Sequence, residues 1–355
     1  MNSFHCFAVR KAGIQSVLCT LNSVLSQTEQ LNCYKERMPA MKIIEEAEVR
    51  RLLTPERCLN AMRACLVDLE EGRCAMPQRL ICAMPNTAML GFMPAYVGDY
   101  YGAKVIAAYA PNTGTQYPSH IGYVMLFESE HSTVAAMVEA GSITEIRTGC
   151  VSAVATDVLA RRDAHSLALI GAGAQARSHL AAIRLVRKID RVMVYDIRPE
   201  AARRFAEEAA ATYSLTVEVA ASAAEAVRDA DIVCTLTPSK TPYLTRDMVR
   251  PGTHINAVGT FTPSTREAAS DLVAASRLYA DHIPACRAES GEYLIPLREG
   301  LITENHIAGS IGQLLTGKAA GRISKEEITM FDALGLAVED IASAKAVLLS
   351  ETQGC

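Results

Sequence analysis

The chain has 355 residues, enough for two domains of ordinary size; half are hydrophobic and 21% charged, with no Trp and 5% aromatics, so disorder, a collagen-like rod and an aromatic platform for single strands all fit poorly. Against 39 Asp and Glu stand 35 Lys and Arg, a net charge of -4 without a basic stripe, which removes the footprint of a nucleic-acid binder and favours a small-molecule partner. No window reaches the roughly 18 uninterrupted apolar residues of a membrane helix, and the eleven cysteines are scattered with no C-x-x-C pair, so we expect a cytoplasmic protein with no membrane partner and its thiols buried.

Residues 1–40 are rich in Ser, Asn, Gln and Cys and carry Arg10 and Lys11 but no acid before Glu29. That texture is weakly transit-like, and an upstream start codon is the plainer explanation, with Met38 or Met41 opening the folded part. We expect these residues to form a non-structural extension. Met41 to Glu45 opens a strand pattern, and apolar residues at helical spacing from Glu45 to Gly72, with Thr54-Pro55-Glu56 as cap, predict two helices. Short strands follow over Arg79–Met84, Met89–Tyr96, Gly102–Tyr109 and Gly122–Glu128, which suggests a mostly antiparallel sheet. Near Val151 the texture changes. A helical stretch, Val151–Ala160, leads into the apolar run Ser166–Ile170, and strands then alternate with helices: Val192–Asp196, helix Pro199–Tyr213, Thr216–Val219, helix Ala223–Ala230, Ile232–Leu236, His254–Val258 and Leu278–Ala280. Such alternation implies an α/β fold, a Rossmann-type doubly wound parallel sheet. A helical pattern over Ser324–Leu349, with Gly335 in its middle, is expected to return to the first domain. We therefore expect a first domain over 41–150 plus 324–350, of α+β type, and a Rossmann domain over 151–323.

Directly after the strand ending at Ile170 stands Gly171-Ala172-Gly173-Ala174-Gln175-Ala176, the G-x-G-x-x-A form of the dinucleotide fingerprint. Its glycines allow a tight turn and let backbone N–H groups approach a pyrophosphate at a helix N-terminus. Asp196, at the end of the next strand, is spaced to bind the adenosine ribose hydroxyls. Its charge favours NAD, although Arg198 could neutralise the 2′-phosphate of NADP. The eight histidines show no metal-ligand spacing, and no metal is assigned.

Beyond these motifs, the sequence resembles the ornithine cyclodeaminase/mu-crystallin family over nearly all of residues 41–349. The resemblance rests on Met93-Pro-Ala-Tyr96, Gly102-Ala-Lys104-Val105, Ile143-Thr-Glu-Ile-Arg147-Thr148, the fingerprint itself, and Gly317 to Arg322 with Glu327-Ile-Thr329 and Gly335. It implies a homodimer joined through the N-terminal domains and an active site between domains. It also implies that Arg79, Lys104 and Arg147 hold a substrate carboxylate, with Met93 beside them, and that Ser119, Arg147, Thr148, Thr235, Val258 and Gly259 join Gly171, Gly173, Ala174, Gln175, Asp196 and Arg198 around the dinucleotide. Independently, Arg79 and Lys104 lie in apolar, strand-like surroundings where an unpaired cation is expensive to bury, so an anionic partner is expected.

Two positions depart from the pattern: Ala333, where many relatives have Ser beside the nicotinamide, and, more informatively, Phe261. Where cyclodeaminases and alanine dehydrogenases of the family have an Asp, this chain has Phe261 in Gly259-Thr-Phe-Thr-Pro263, followed by Arg266-Glu267, which is similar to the branch of cyclic ketimine (Δ1-pyrroline-2-carboxylate) reductases. A phenyl ring cannot grip an amino group, and it suits a ring of methylenes. The resemblance therefore implies NAD(P)H-dependent reduction of a cyclic imine carboxylate to L-proline or L-pipecolate, with Lys104 touching the imine nitrogen as proton donor. An ornithine cyclodeaminase, an NAD-dependent amino-acid dehydrogenase and a mu-crystallin-like ligand-binding protein remain the alternatives.

Overall fold

A computed structural model describes residues 41–112 and 115–353; the expected extension of residues 1–40 lies outside the described residues. After β1 (Lys42–Ile44), acids in the first turn and arginines in the last complement the dipole of α1 (Glu46–Leu52). Thr54 then caps α2 (Pro55–Glu70) by accepting the Arg57 N–H, and Cys58, Met62, Cys65 and Leu66 form its buried stripe. The strands β2 (Cys74–Ala75), β3 (Leu80–Ala83), β4 (Met89–Val97), β5 (Tyr100–Ala108), β6 (His120–Glu128) and β7 (Val134–Glu139) pair antiparallel. Their order is β1-β7-β6-β5-β4-β2, with β3 also on β4.

Strand pleating gives this sheet two distinct faces. Met93, Lys104, Val124 and Val138 stand in one cross-strand row and are buried, whereas their neighbours Phe92, Val105 and Tyr123 form the adjacent outward row. The buried row faces helices. One of them is α3 (Ala140–Leu159), begun by the Glu139 carboxylate, which accepts the N–H groups of Gly141 and Ser142.

The second sheet is parallel throughout, in the order β10-β9-β8-β11-β12-β15-β13-β14. Its strands are β8 (Ser166–Ile170), β9 (Arg191–Tyr195), β10 (Val217–Val219), β11 (Ile232–Thr235), β12 (His254–Ala257), β13 (Ser276–Ala280), β14 (Ile307–Ser310) and β15 (Ile328–Asp332). Between them run α4 (Ala174–Ile183), α5 (Pro199–Tyr213), α6 (Ala223–Val227), α7 (Ser270–Ala275), α8 (Ile283–Glu289), α9 (Gly291–Arg298) and α10 (Ile311–Leu315), and α11 (Ala337–Gln353) ends the described chain. The chain winds outward in opposite directions from β8 and β11, so the crevice above their carboxyl ends is the switch point of a Rossmann-type sheet. Gly149 brings α3 against α4: a Cβ there would come within 2.6 Å of the Ser178 backbone.

Two expectations about the chain need correction. The texture change near Val151 falls inside α3, which starts eleven residues earlier at Ala140; Ile143, Ile146, Cys150 and Val154 already carry its helical spacing. The single helix expected over Ser324–Leu349 is instead β15 followed by α11, and β15 lies in the parallel sheet between β12 and β13. All five residues of β15 are buried, and an apolar run packed on both faces has no period to separate strand from helix. Gly335, at φ +77°, turns the chain out of that sheet, and α11 then packs on α2, α3, β4 and β5.

Candidate active site

The carboxyl ends of the parallel strands gather the fingerprint residues. Gly171 has φ +102°, and a Cβ there would lie 2.9 Å from the Leu236 carbonyl oxygen, so only glycine makes this turn without strain. Gly173 begins α4 with no side-chain cap, and the space where its Cβ would project is open. The first-turn N–H groups of Ala174 and Gln175 thus suit a pyrophosphate. Arg177 holds the loop by donating to the carbonyls of Ala172 and Gly173. Asp196 follows β9; one carboxylate oxygen accepts the Ala172 N–H (2.9 Å) and the other the Arg198 N–H (2.9 Å). The Arg198 guanidinium is 68% exposed and 3.6 Å from Asp196. Thr235 closes β11, and the N–H groups of Val258 and Gly259 both donate to its carbonyl. Thr148 is buried on α3 with its hydroxyl donating to the Thr144 carbonyl, whereas Ser119 sits just before β6, beside His120.

Glu267 ties the loops that follow β11 and β12. One oxygen accepts from the Thr237 N–H, the Thr237 hydroxyl and the Tyr243 hydroxyl at 2.6–2.8 Å, and the other accepts the Gly259 N–H at 2.8 Å. The Glu267 backbone N–H in turn donates to Glu292. Burial raises the Glu267 carboxyl above its ordinary value despite those donors.

The cations come from β5, α3 and the chain before β3. Lys104 (β5) and Arg147 (α3) are 3% and 6% exposed. Asp340 of α11 joins them, one carboxylate oxygen 2.8 Å from Lys104 Nζ and the other 3.2 Å from Arg147 Nε, while Glu339 sits 3.0 Å from the same guanidinium. Lys104 also donates to the Thr144 hydroxyl at 3.4 Å. Arg79, just before β3, pairs with Glu289 of α8 at 2.6 Å and donates to the Leu334 carbonyl. The turn at Leu334 and Gly335 thus links Arg79 to Arg147, because a Cβ on Gly335 would come within 2.8 Å of the Arg147 guanidinium. Asp281, just after β13, fixes that turn by accepting both its N–H groups at 2.8 and 2.9 Å.

Burial lowers the Lys104 ammonium below its ordinary value, with Asp340 opposing. Burial also pulls Arg147 down, but Asp340 and Glu339 outweigh it and the guanidinium titrates above its usual range. The Glu339 carboxyl is pushed up to about 7 by burial, against the pull of Arg147. Among the described residues no group of three His, Cys, Asp or Glu is arranged to hold a metal ion.

A cavity of about 180 Å³ opens beside this cluster, walled by Arg79, Met93, His282, Glu289, Gly335 and Leu336. Lys104 and Arg147 lie one layer behind that wall, the first paired across β4 and β5 with Met93, the second against Gly335. Two points differ from the sequence reading. The cations are not unpaired, since Glu289, Glu339 and Asp340 supply internal partners that the sequence did not single out. Phe261 is 44% exposed on the loop after β12, beyond the buried Thr260, and forms no part of the cavity wall.

A parallel doubly wound sheet with a glycine turn at its switch point defines a Rossmann-type α/β protein. The sequence profile of the ornithine cyclodeaminase/mu-crystallin family matches residues 38–353, and the chain belongs to that family. It is 35% identical over 309 residues to a Delta(1)-pyrroline-2-carboxylate reductase of Bacillus cereus, a match covering 86% of this chain and 95% of that protein. Among solved structures it is similar to Thermococcus litoralis Delta(1)-pyrroline-2-carboxylate reductase in complex with NADH and L-proline, with a TM-score of 0.85, 33% identity, and 88% of this chain and 98% of that one covered. An archaeal alanine dehydrogenase dimer with bound NAD is similar at a TM-score of 0.84 and 29% identity, covering 88% of this chain and 97% of that one.

Proposed function

We propose that this protein reduces the C=N bond of a cyclic imine carboxylate, Δ1-pyrroline-2-carboxylate or its six-membered homologue, to L-proline or L-pipecolate. The observation that carries this reading is the small cavity walled by Arg79 and Met93, with the buried Lys104 and Arg147 behind that wall, in a chain that also carries the dinucleotide turn. The similarity to a pyrroline-carboxylate reductase solved with NADH and L-proline supports it. Gly171, Gly173, Ala174 and Gln175 would hold the pyrophosphate of NAD, or NADP, and Asp196 the ribose. When bound, the reduced nicotinamide supplies hydride to the imine carbon.

The rest falls to this chain's side chains. Arg79 and Arg147 offer planar guanidinium donors to the substrate carboxylate, in partial exchange for Glu289 and Glu339. Lys104 hydrogen-bonds the imine nitrogen and gives it the proton that the product amine requires, which makes the adjacent carbon a better hydride acceptor. Met93 and Leu336 keep the cavity apolar and exclude water from that proton transfer. In this reading the antiparallel sheet, with α1 to α3 and α11, carries the substrate, and the parallel sheet carries the coenzyme.

Two copies pair, in this reading, across the outer face of the antiparallel sheet. Leu80, Leu90, Phe92, Val105 and Ile121 are each 40–58% exposed there, a patch apolar enough to call for a partner. The seven cysteines of the described residues are free and mostly buried, in keeping with a reducing compartment such as the cytosol.

A substrate panel tests the assignment. Both nucleotides are offered with Δ1-pyrroline-2-carboxylate, Δ1-piperideine-2-carboxylate, L-ornithine and L-alanine, and nicotinamide absorbance and released ammonia are followed. Oxidation of the reduced nucleotide with a cyclic imine, and no ammonia from ornithine, is the expected result. Ammonia release from ornithine without imine reduction would replace this reading with cyclodeamination.

A further inference from the structure

Lys104 and Arg147 share a carboxylate in a way that Arg79 does not. Asp340 divides its two oxygens between them, and Glu339 beside it accepts from both Arg147 and the Leu336 N–H that starts α11. Both acids are fully buried. A buried ion cluster is weak as a stability device, because well-packed apolar residues of similar volume do as well or better. Its presence here fits a need for charge at this place. The Lys104 ammonium donates to the Thr144 hydroxyl and lies 2.8 Å from one Asp340 oxygen, an ion pair that leaves donor capacity on the ammonium.

We propose that Asp340 is a positioning residue that keeps Lys104 in its ammonium form within a buried site and couples its placement to that of Arg147, so that proton donor and carboxylate clamp are set as one unit. The inference rests on Lys104 acting as proton donor in the reading above. The charged and titratable groups facing Lys104 are Asp340 and Glu339 on α11, Arg147 on α3 and His120 on β6. Burial and Arg147 disfavour the ammonium, whereas Asp340 and Glu339 favour it. Loss of the Asp340 charge therefore moves Lys104 deprotonation to lower pH.

The test uses full-length protein with 13C at lysine Cε, the Lys104 resonance being assigned with Lys104→Arg. Its titration is followed alongside the pH profile of kcat for imine reduction. In Asp340→Asn, both the titration and the alkaline limb of kcat fall by about one pH unit or more. Asp340→Glu, which keeps the charge but displaces it, holds the limb near its wild-type pH while lowering kcat severalfold. A folded Asp340→Asn with a wild-type Lys104 titration overturns the inference, and so does an unchanged kcat in Asp340→Glu. If the titration falls but the kcat limb stays put, the coupling of Asp340 to Lys104 stands and the assignment of Lys104 as proton donor fails.

Discussion

Gly335 shows how tightly single residues determine this site. Its φ of +77° lies where side chains are strained, and its missing Cβ leaves room for the Arg147 guanidinium at 2.8 Å. Gly335→Ala is expected to push Arg147 off its carboxylates, raise the KM for the imine about tenfold, equivalent to about 1.4 kcal/mol, and lower Tm by a few degrees. Steady-state kinetics with a thermal melt read both; an unchanged KM would separate Arg147 from substrate binding. Lys104 and Arg147 were legible in the sequence because charge inside an apolar strand and the Arg147-Thr148 motif both draw notice. Their partners were not. Asp340 lies 193 residues from Arg147, and with Glu339 it looks like the acidic first turn of any solvated helix.

At the scale of elements, the loops after β11 and β12 depend on one buried side chain. Glu267 accepts four hydrogen bonds, from Thr237, Tyr243 and Gly259. In Glu267→Gln, an acceptor oxygen becomes an NH2 that must face donors, leaving buried N–H groups unmatched at about 1–3 kcal/mol. We expect weaker NADH binding by about tenfold, measured by nucleotide fluorescence, and a lower Tm. A wild-type affinity would show that these loops do not carry the nicotinamide side of the coenzyme. The strand Ser166–Ile170 and the helix Pro199–Tyr213 have the bounds that their patterns predict, since one is a β-rich apolar run and the other has Pro at its start and a clear apolar stripe. The short helices α7 to α10 and the strands β7, β14 and β15 were not legible. They are too brief for a period to emerge, and neighbouring chain rather than intrinsic preference determines them.

Across the whole molecule, the antiparallel sheet has one face committed to α3 and α11 and the other apolar and outward. The row Phe92, Val105 and Tyr123 stands one residue out of phase with Met93, Lys104 and Val124, so the sheet that presents Lys104 inward presents the proposed pairing surface outward. Phe92→Lys combined with Val105→Lys should yield a folded monomer by analytical ultracentrifugation, whereas an unchanged dimer would move the interface elsewhere. The proposed role of the three cations depends most directly on where they point when substrate and coenzyme are present. A crystal structure of the protein with NAD and L-proline is expected to show the proline carboxylate within hydrogen-bond reach of Arg79 and Arg147, and Lys104 Nζ at the ring nitrogen. Arg79 still locked on Glu289 and Lys104 turned away from the ring, with proline bound elsewhere, would contradict it.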